Sequence, residues 1–135
     1  MNFNDIRQQL EQSSGWQAKY RTIMLLGKQL PELPEPLKTP AALVKGCESK
    51  VWLHVAQNEQ DGKLAVVADS DTRIVKGLLA IILAFYNGKT PLEVSKTSAV
   101  MVFNELQLLQ HLSPSRGNGV HAIDAAIQTF ASQVA

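Results

Sequence analysis

Hydrophobic positions in the N-terminal part of the chain recur at helical spacing and predict two amphipathic helices. Phe3, Ile6 and Leu10 share one face of the first helix, and Ser13-Ser14-Gly15 is expected to end it. Gly27 is expected to terminate the second helix. The apolar stripe of the second helix, which we interpret as core, consists of Trp16, Tyr20, Ile23 and Met24.

A proline-rich segment follows these helices. Four prolines between positions 31 and 40 exclude a long helix or a central strand. We interpret the segment as an extended, rigid connection that wraps the domain, because too few residues precede it to form a separate domain. Thr39-Pro40 can open a short helix through Leu43 and Val44, with the proline in the first helical position. The loop that comes next is therefore expected to be anchored at both ends.

Two segments, 51–56 and 64–68, alternate between two sets of positions with the period of a strand. Asp61-Gly62 lies between them in a polar turn, so the sequence predicts an antiparallel hairpin. Asp69-Ser70-Asp71 is expected to end the second strand and to offer caps for the following helix. We assign Trp52 to the core.

The longest apolar stretch predicts a helix from about Ile74 to Phe85 with a wide hydrophobic face. A helix of this kind is expected to cross the sheet as the central helix of the domain. Gly77 lies inside it at a cost of about 1 kcal/mol relative to alanine. Close packing against the hairpin, or against the loop before the first strand that carries Cys47, would explain this glycine. Asn87-Gly88 is expected to close the helix.

The C-terminal third of the chain predicts further helices. Thr90-Pro91-Leu92-Glu93 has the pattern of a capping box, and Val100, Phe103 and Leu106 indicate a short helix. Residues 113–119 predict a polar turn before the last amphipathic helix. Its apolar positions are Val120, Ile123, Ile127, Phe130 and Val134. The whole pattern predicts a single α+β domain over residues 1–135, with a small antiparallel sheet packed on a central helix between N- and C-terminal helices.

Charge and composition exclude several functional classes. The formal net charge of +1 gives no basic face for nucleic acid. No apolar run approaches the roughly 20 residues that span a bilayer, and the first residues lack the pattern of a signal peptide. We therefore expect a soluble, cytoplasmic protein. A single cysteine forms no internal disulfide and supplies no multi-cysteine metal site.

That cysteine, Cys47, lies among charged and polar residues just before the first strand. Its neighbours Lys45, Glu48, Ser49 and Lys50 indicate a loop tip with the sulfur near solvent, and the two lysines can stabilise a thiolate. Gly46 gives the backbone extra freedom just before the sulfur. The local pattern alone leaves a functional thiol and a fortuitous loop cysteine equally open.

Other candidate residues have simpler explanations. A cysteine hydrolase would need a general base, but the spacing of His54, His111 and His121 matches no triad or metal site. The pair Asp69 and Asp71 fits helix capping better than acid–base chemistry. An arginine in the 113–119 turn, Arg116, can bind a partner's carboxylates, order the turn or remain solvated.

The amino-acid sequences of four segments also resemble those of a known family. Residues 46–52 read Gly-Cys-Glu-Ser-Lys-Val-Trp and are similar to the signature of the SufE family, the sulfur acceptors that work with cysteine desulfurases. Segments 24–31, 69–78 and 111–119 resemble further family blocks in the same order. The resemblance spans about residues 16–130.

This resemblance implies a SufE/IscU-like fold and a sulfur carrier in which Cys47 holds a persulfide. Sulfur would come from a SufS- or CsdA-like cysteine desulfurase and pass to an iron–sulfur scaffold or another acceptor. Pyridoxal phosphate would belong to the desulfurase, so no cofactor or metal site and no independent turnover are expected here. Partner-binding or loop-supporting roles are expected for Gly46, Glu48, Ser49, Asp71 and Arg116. The alternative is a non-covalent adaptor that activates a partner enzyme.

The resemblance also implies a sulfur that is buried in the free protein and exposed in the partner complex. Within the family, Glu48 is similar to the CsdE-like branch, whereas residues 113–116 look more like SufE proper. Gln107 occupies a position where a small residue is expected.

Overall fold

The computed structural model describes residues 2–135 and shows the expected α+β architecture, in which helices surround one antiparallel hairpin. Short 3₁₀ helices lie at Glu35–Leu37, Pro40–Ala42 and Leu109–His111. The strands are β1 (Val51–Gln57) and β2 (Leu64–Ser70). The α-helices are α1 (Phe3–Gln12), α2 (Gly15–Gln29), α3 (Arg73–Tyr86), α4 (Pro91–Ser95), α5 (Ala99–Glu105) and α6 (Pro114–Val134).

The predicted end of the second helix is wrong, because Gly27 lies inside α2, which continues to Gln29. A Cβ atom on Gly27 would lie 2.8 Å from the backbone nitrogen of Gly77, and one on Gly77 would lie 2.1 Å from the carbonyl oxygen of Ile23. The two glycines therefore let the backbones of α2 and α3 touch. Gly77 packs against α2, and not against the hairpin or the Cys47 loop as predicted.

This crossing also explains why the stripe on α2 is core only in part. Ile23 is fully buried against α3, but Tyr20 is 37% exposed, and Trp16 and Met24 are half-buried. The side chain of Trp16 stacks on His111, with ring centroids 5.0 Å apart. Since the glycine contact fixes which face of α2 meets α3, the aromatic part of the stripe remains at the surface.

The predicted hairpin is confirmed, with Val51 opposite Ser70 and Gln57 opposite Leu64. One face of the sheet packs on α3. The proline-rich segment covers part of the other face. The carbonyl of Leu37 accepts a hydrogen bond from His54 Nε2 at 2.7 Å, and Lys38 Nζ lies 5.4 Å from the ring centre of Trp52. Trp52 is half-buried beneath that segment and so lies outside the main core.

One buried carboxylate fastens the proline-rich segment to β2. Asp69 is 1% exposed, and its Oδ2 accepts from the Leu33 N–H at 3.1 Å while its Oδ1 accepts from the Ser70 N–H at 2.8 Å. Lys38 and Lys76 form ion pairs with it at 3.7 and 3.5 Å. The predicted capping role of Asp69 is wrong, because this residue still belongs to β2 and faces the wrapping segment.

The predicted helix boundaries between α3 and α5 are confirmed. Asn87 caps the end of α3, Gly88 has a φ of +86°, and Thr90 and Glu93 form the reciprocal capping box of α4. After α5, Gln107 has a φ of +58°, in the left-handed region that favours glycine. This backbone conformation gives a physical reason for expecting a small residue there.

The predicted turn at 113–119 is wrong, because these residues form the start of α6. Ser113 is the N-cap, and its Oγ accepts from the Arg116 N–H at 3.3 Å. Pro114 takes the first helical position, where its missing N–H is not needed. The two glycines of this segment suggested a turn, but a serine cap followed by proline starts the helix.

A buried polar network fixes α6 to the rest of the core. The Tyr86 hydroxyl donates to Asp124 Oδ1, Ser98 Oγ donates to Asp124 Oδ2 at 2.9 Å, and Gln128 Nε2 donates to the Tyr86 hydroxyl at 2.9 Å. Burial, together with the neighbouring Asp124 carboxylate, raises the pKa of Tyr86 far above its ordinary value. Tyr86 therefore stays neutral and acts as a structural donor.

Candidate functional site

The loop that carries Cys47 is anchored at both ends, as expected. On one side, the Val44 N–H donates to the Val51 carbonyl at 2.9 Å. On the other, the Lys50 carbonyl accepts from Ser70 Oγ at 2.7 Å and from the Asp71 N–H at 3.4 Å. The base of the loop is therefore tied to both strands.

Gly46 brings the loop against α6 in a conformation that other residues rarely adopt. Its φ is +92°, and a Cβ on it would lie 3.3 Å from the Cβ of Ala122. Both the backbone angle and the close approach therefore favour glycine at this position.

The sulfur of Cys47 is half-buried between the loop and α6. Its Sγ donates to the carbonyl of Gly119 at 3.7 Å, and a Cβ on Gly119 would lie 3.6 Å from the sulfur. Burial raises the pKa of the Cys47 thiol above its ordinary value. The expected stabilisation of a thiolate by Lys45 and Lys50 is therefore wrong for the free protein, because both lysines are exposed and the sulfur has lost part of its contact with water.

Next to the sulfur lies a cavity of about 380 Å³ with an apolar floor and a polar rim. It is many times larger than the roughly 30 Å³ that one water molecule occupies. The floor comes from β1, α3 and α6. The floor residues are Val51, Val75, Leu78, Val120 and Ile123, and the rim residues are Glu48, Ser49, Ser113, Ser115 and Arg116.

Two predicted site residues support the second half of the loop. Asp71 Oδ1 accepts from the Lys50 N–H at 3.2 Å and from Thr72 Oγ1 at 3.1 Å, and Ser49 Oγ lies within hydrogen-bond distance of Thr72 Oγ1, at 2.9 Å. Thr72 is the N-cap residue of α3. This chain of hydrogen bonds joins the loop to the start of the central helix.

The other predicted residues lie at the mouth of the cavity. Glu48 and Arg116 are exposed, and neither forms an ion pair within residues 2–135. The structure thus brings Cys47, Glu48, Ser49 and Arg116 to one cavity, with Gly46 and Asp71 beside the loop. An unpaired guanidinium and carboxylate at the rim are free to meet charges on a partner.

Sequence reasoning missed the part that α6 plays. Ser113, Ser115 and Gly119 line the cavity because the helix starts at Pro114, and a turn there would have left that wall open. The Ser-Pro pair was the available signal, since it is typical of an N-cap followed by the first helical residue. Thr72 was also missed, although it directly precedes the predicted helix.

The arrangement gives no support to hydrolysis with a histidine as the general base, because no histidine lies at the cavity beside the sulfur. None of the three histidines lines the cavity: His54 bonds to Leu37 on the far face of the sheet, His111 stacks on Trp16, and His121 is exposed on α6. Within the part of the chain that the structure describes, no three His, Cys, Asp or Glu side chains form a group that could hold a metal ion. No helix among residues 2–135 is long and apolar enough to cross a bilayer.

Comparison with known proteins decides the family. Residues 4–131 match the SufE family, described as an Fe-S metabolism associated domain. The chain belongs to the SufE family. It is similar to the sulfur acceptor protein CsdE of Escherichia coli (strain K12), with 46% identity over 121 residues that cover 88% of this chain and 80% of that protein.

One further relative agrees with this assignment, and one solved structure shares the fold. An uncharacterised SufE-like protein of Rhizobium meliloti (strain 1021) is 39% identical over 118 residues, covering 86% of this chain and 84% of that one. The fold resembles the solution structure of a hypothetical protein from Thermus thermophilus, with a TM-score of 0.76 and 15% identity over 98% of this chain and 94% of that one. At this identity the likeness concerns the fold alone.

Proposed function

We propose that this SufE-family protein accepts sulfur from a cysteine desulfurase onto Cys47 and passes it on. The observation that carries the proposal is the position of its only cysteine, half-buried at an apolar cavity under an anchored loop. The similarity to a sulfur acceptor protein supports the same role. The desulfurase would bring pyridoxal phosphate, and no step on this chain needs that cofactor.

The transfer is a thiol–disulfide type of exchange. The Cys47 thiolate attacks the terminal sulfur of the desulfurase persulfide, a new S–S bond forms on Cys47, and the bond to the donor cysteine breaks with departure of its thiolate. A second thiol, on an iron–sulfur scaffold or another acceptor, then removes the outer sulfur by the same attack. No external oxidant or reductant is required, because each step exchanges one S–S bond for another.

The raised pKa of Cys47 gives the free protein a protonated thiol, which reacts slowly with oxidants and electrophiles. After loading, the apolar floor formed by Val51, Val75 and Leu78 shields the outer sulfur from water. We assign the reducing cytoplasm as the compartment, because a lone carrier thiol has to stay reduced between cycles.

Glu48 and Arg116 are proposed to contact the desulfurase, since both are exposed at the mouth of the cavity and have no ion-pair partner among residues 2–135. The planar guanidinium of Arg116 suits a partner carboxylate. Ser49 and Asp71 are proposed to support the loop through Thr72 and Lys50, and Gly46 to hold the loop against α6.

The test is intact-mass spectrometry after incubation with a SufS- or CsdA-like desulfurase and cysteine. We expect a mass gain of one sulfur atom that maps to the peptide containing Cys47 and disappears with a thiol reductant. The Cys47→Ser variant should gain no mass and should lose the stimulation of the desulfurase. If Cys47→Ser stimulates as well as the unaltered protein, the adaptor alternative replaces the sulfur carrier.

A further inference from the structure

The part of the Cys47 loop between its anchored ends, residues 45–49, is held by few hydrogen bonds. Among residues 2–135, two side-chain hydrogen bonds join this part to the rest of the chain. In the first, Cys47 Sγ donates to the Gly119 carbonyl at 3.7 Å. The second joins Ser49 Oγ and Thr72 Oγ1 at 2.9 Å. The position of the sulfur therefore depends on these two contacts and on close packing against α6.

The first of these bonds is lost when the thiol reacts. The attacking form is the thiolate, which has no hydrogen left to donate to Gly119. Because the sulfur is half-buried against α6, an in-line approach by a partner's persulfide also requires the loop to move outward. The contact between Ser49 and Thr72 is then the remaining hydrogen bond, within the described chain, that keeps residues 45–49 closed.

Thr72 has a second possible role for its side chain. It is the N-cap residue of α3, and its φ of −117° and ψ of 128° lie in the extended region typical of N-caps. Its hydroxyl nevertheless forms no capping hydrogen bond, because it contacts Ser49 and donates to Asp71 Oδ1 at 3.1 Å. By contrast, the N-cap side chains of α1, α4 and α6 each accept from the third N–H of their helix.

Little has to move for Thr72 to change partners. Its N–H donates to Ser70 Oγ at 3.3 Å and its carbonyl accepts from the Lys76 N–H at 3.0 Å, so its backbone is already fixed at the start of α3. Rotation about χ1 can therefore carry Oγ1 from Ser49 to the N–H of Val75, the third residue of the helix. Val75 also lines the cavity beside the sulfur, so the alternative partner lies next to the loop.

We propose that Thr72 is a positioning residue with two partners: its hydroxyl holds Ser49 while the loop is closed and caps α3 at Val75 when the loop opens. The new capping bond offsets part of the cost of losing the old contact, so it makes exposure of the sulfur easier. This inference rests on the proposed function, in which Cys47 has to reach a partner. It predicts that release of the loop and tightening of the first turn of α3 occur together.

Amide hydrogen exchange followed by NMR tests the change of partners in the free protein. Ser49→Ala removes the loop's side of the contact, so the Thr72 hydroxyl should turn to α3 and exchange of the Val75 amide should slow about threefold or more. A contact that only supports the structure predicts the opposite, because its loss would speed exchange. Adding Thr72→Val to Ser49→Ala should abolish the slowing, whereas adding Thr72→Ser should preserve it.

A second variant displaces the loop while both hydroxyls stay in place. Ala122→Leu adds side-chain atoms where Gly46 approaches α6, since a Cβ on Gly46 would already lie 3.3 Å from the Cβ of Ala122. The loop should move outward, so alkylation of Cys47 by iodoacetamide should become faster. Exchange of the Val75 amide should slow in the same variant, as it does in Ser49→Ala.

Lys45→Ala is the matched control, because this exposed loop residue forms no hydrogen bond within residues 2–135, and it should leave Val75 exchange unchanged. The inference is overturned if Ser49→Ala leaves Val75 exchange unchanged or speeds it, or if the slowing persists with Thr72→Val. Ser49→Ala decides alone if Ala122→Leu fails to fold or leaves the loop in place. None of these measurements involves a desulfurase, so their failure is distinct from a failure of Cys47 to gain sulfur.

Discussion

Two contacts in this molecule depend on a glycine: the crossing of α2 and α3, and the contact of the Cys47 loop with α6. They differ in what lies beside the glycine. At the crossing, a Cβ on Gly77 would meet backbone atoms of Ile23, so no space remains. At the loop, a Cβ on Gly46 would meet only the Cβ of Ala122, at 3.3 Å, and an open cavity lies next to it.

This difference separates residues that hold the fold from residues that serve sulfur transfer. The helix crossing has filled space and backbone contact, so any added atom has to displace a helix. The loop has a few hydrogen bonds at its base and an exposed rim, so it can change position at small cost. We therefore expect substitutions at the crossing to act on folding and those at the loop to act on transfer.

Gly77→Ala should have the largest effect. The new Cβ would lie 2.1 Å from a backbone oxygen, which forces α2 and α3 apart, and we expect a loss of about 3 kcal/mol or more in the free energy of unfolding. Urea denaturation measures this loss. Gly117→Ala is the matched control, because a Cβ there meets nothing within 4 Å on a helix, and it should stabilise by up to about 1 kcal/mol. Equal effects of the two variants would contradict the tight crossing.

Asp69→Asn should have the next largest effect, a loss of about 2–4 kcal/mol in the free energy of unfolding. In this variant two lysines and a buried backbone N–H would face an uncharged amide in place of a carboxylate. Asp71→Asn is the control, since that carboxylate is exposed and the amide oxygen can still accept from Lys50. Urea midpoints of the two variants, measured at neutral pH, compare these losses directly.

The Asp69 carboxyl also predicts an acid dependence. Burial acts to raise its pKa, but hydrogen bonds from Leu33 and Ser70 and the charges of Lys76 and Lys38 outweigh burial and lower it below the ordinary value of 3.8. A lowered folded-state pKa contributes stability that is present above the unfolded pKa and is lost as pH falls through the folded one. Stability of the unaltered protein should therefore fall below about pH 4, and this part of the acid dependence should vanish in Asp69→Asn.

The sequence predicts those features whose causes are local. The hairpin, the capping box at Thr90 and the end of α3 at Asn87-Gly88 each depend on residues within a few positions of one another. The role of Asp69 could not be predicted in this way, because the backbone N–H it binds belongs to Leu33, 36 positions away. Gly27 was misjudged for the same reason, since its partner Gly77 lies on another helix.

At the candidate site, the sequence pointed to the thiol and its loop but missed the wall formed by α6. The glycines in the 113–119 segment suggested a turn, although the Ser-Pro pair indicated the start of a helix. The closeness of Gly119 to the sulfur was therefore missed. The lysines beside Cys47 suggested an acidic thiol, yet burial depends on residues far along the chain and determines the direction of the pKa shift.

Gly46→Ala should act on transfer more than on folding. Its φ of +92° strains any other residue by about 1–2 kcal/mol, and relief of that strain would shift the loop and the sulfur. We expect the rate of sulfur loading by a desulfurase to fall about tenfold or more. Gly62→Ala is the matched control, since it has a φ of +71° in the hairpin turn and should cost similar stability with normal loading. Normal loading in both variants would contradict a positioning role for Gly46.

The smallest effect concerns the titration of Cys47 in the free protein. Because burial disfavours the thiolate, the rate of alkylation by iodoacetamide should rise with pH around a midpoint above the ordinary thiol value of about 8.5. Lys45→Ala and Lys50→Ala should leave that midpoint in place, since both lysines are exposed. Enlarging the cavity at its floor with Val120→Ala should lower the midpoint by admitting water next to the sulfur. A midpoint below the ordinary value that rises when the lysines are removed would instead show that charge outweighs burial, and the thiol would then be ready to react before any partner docks.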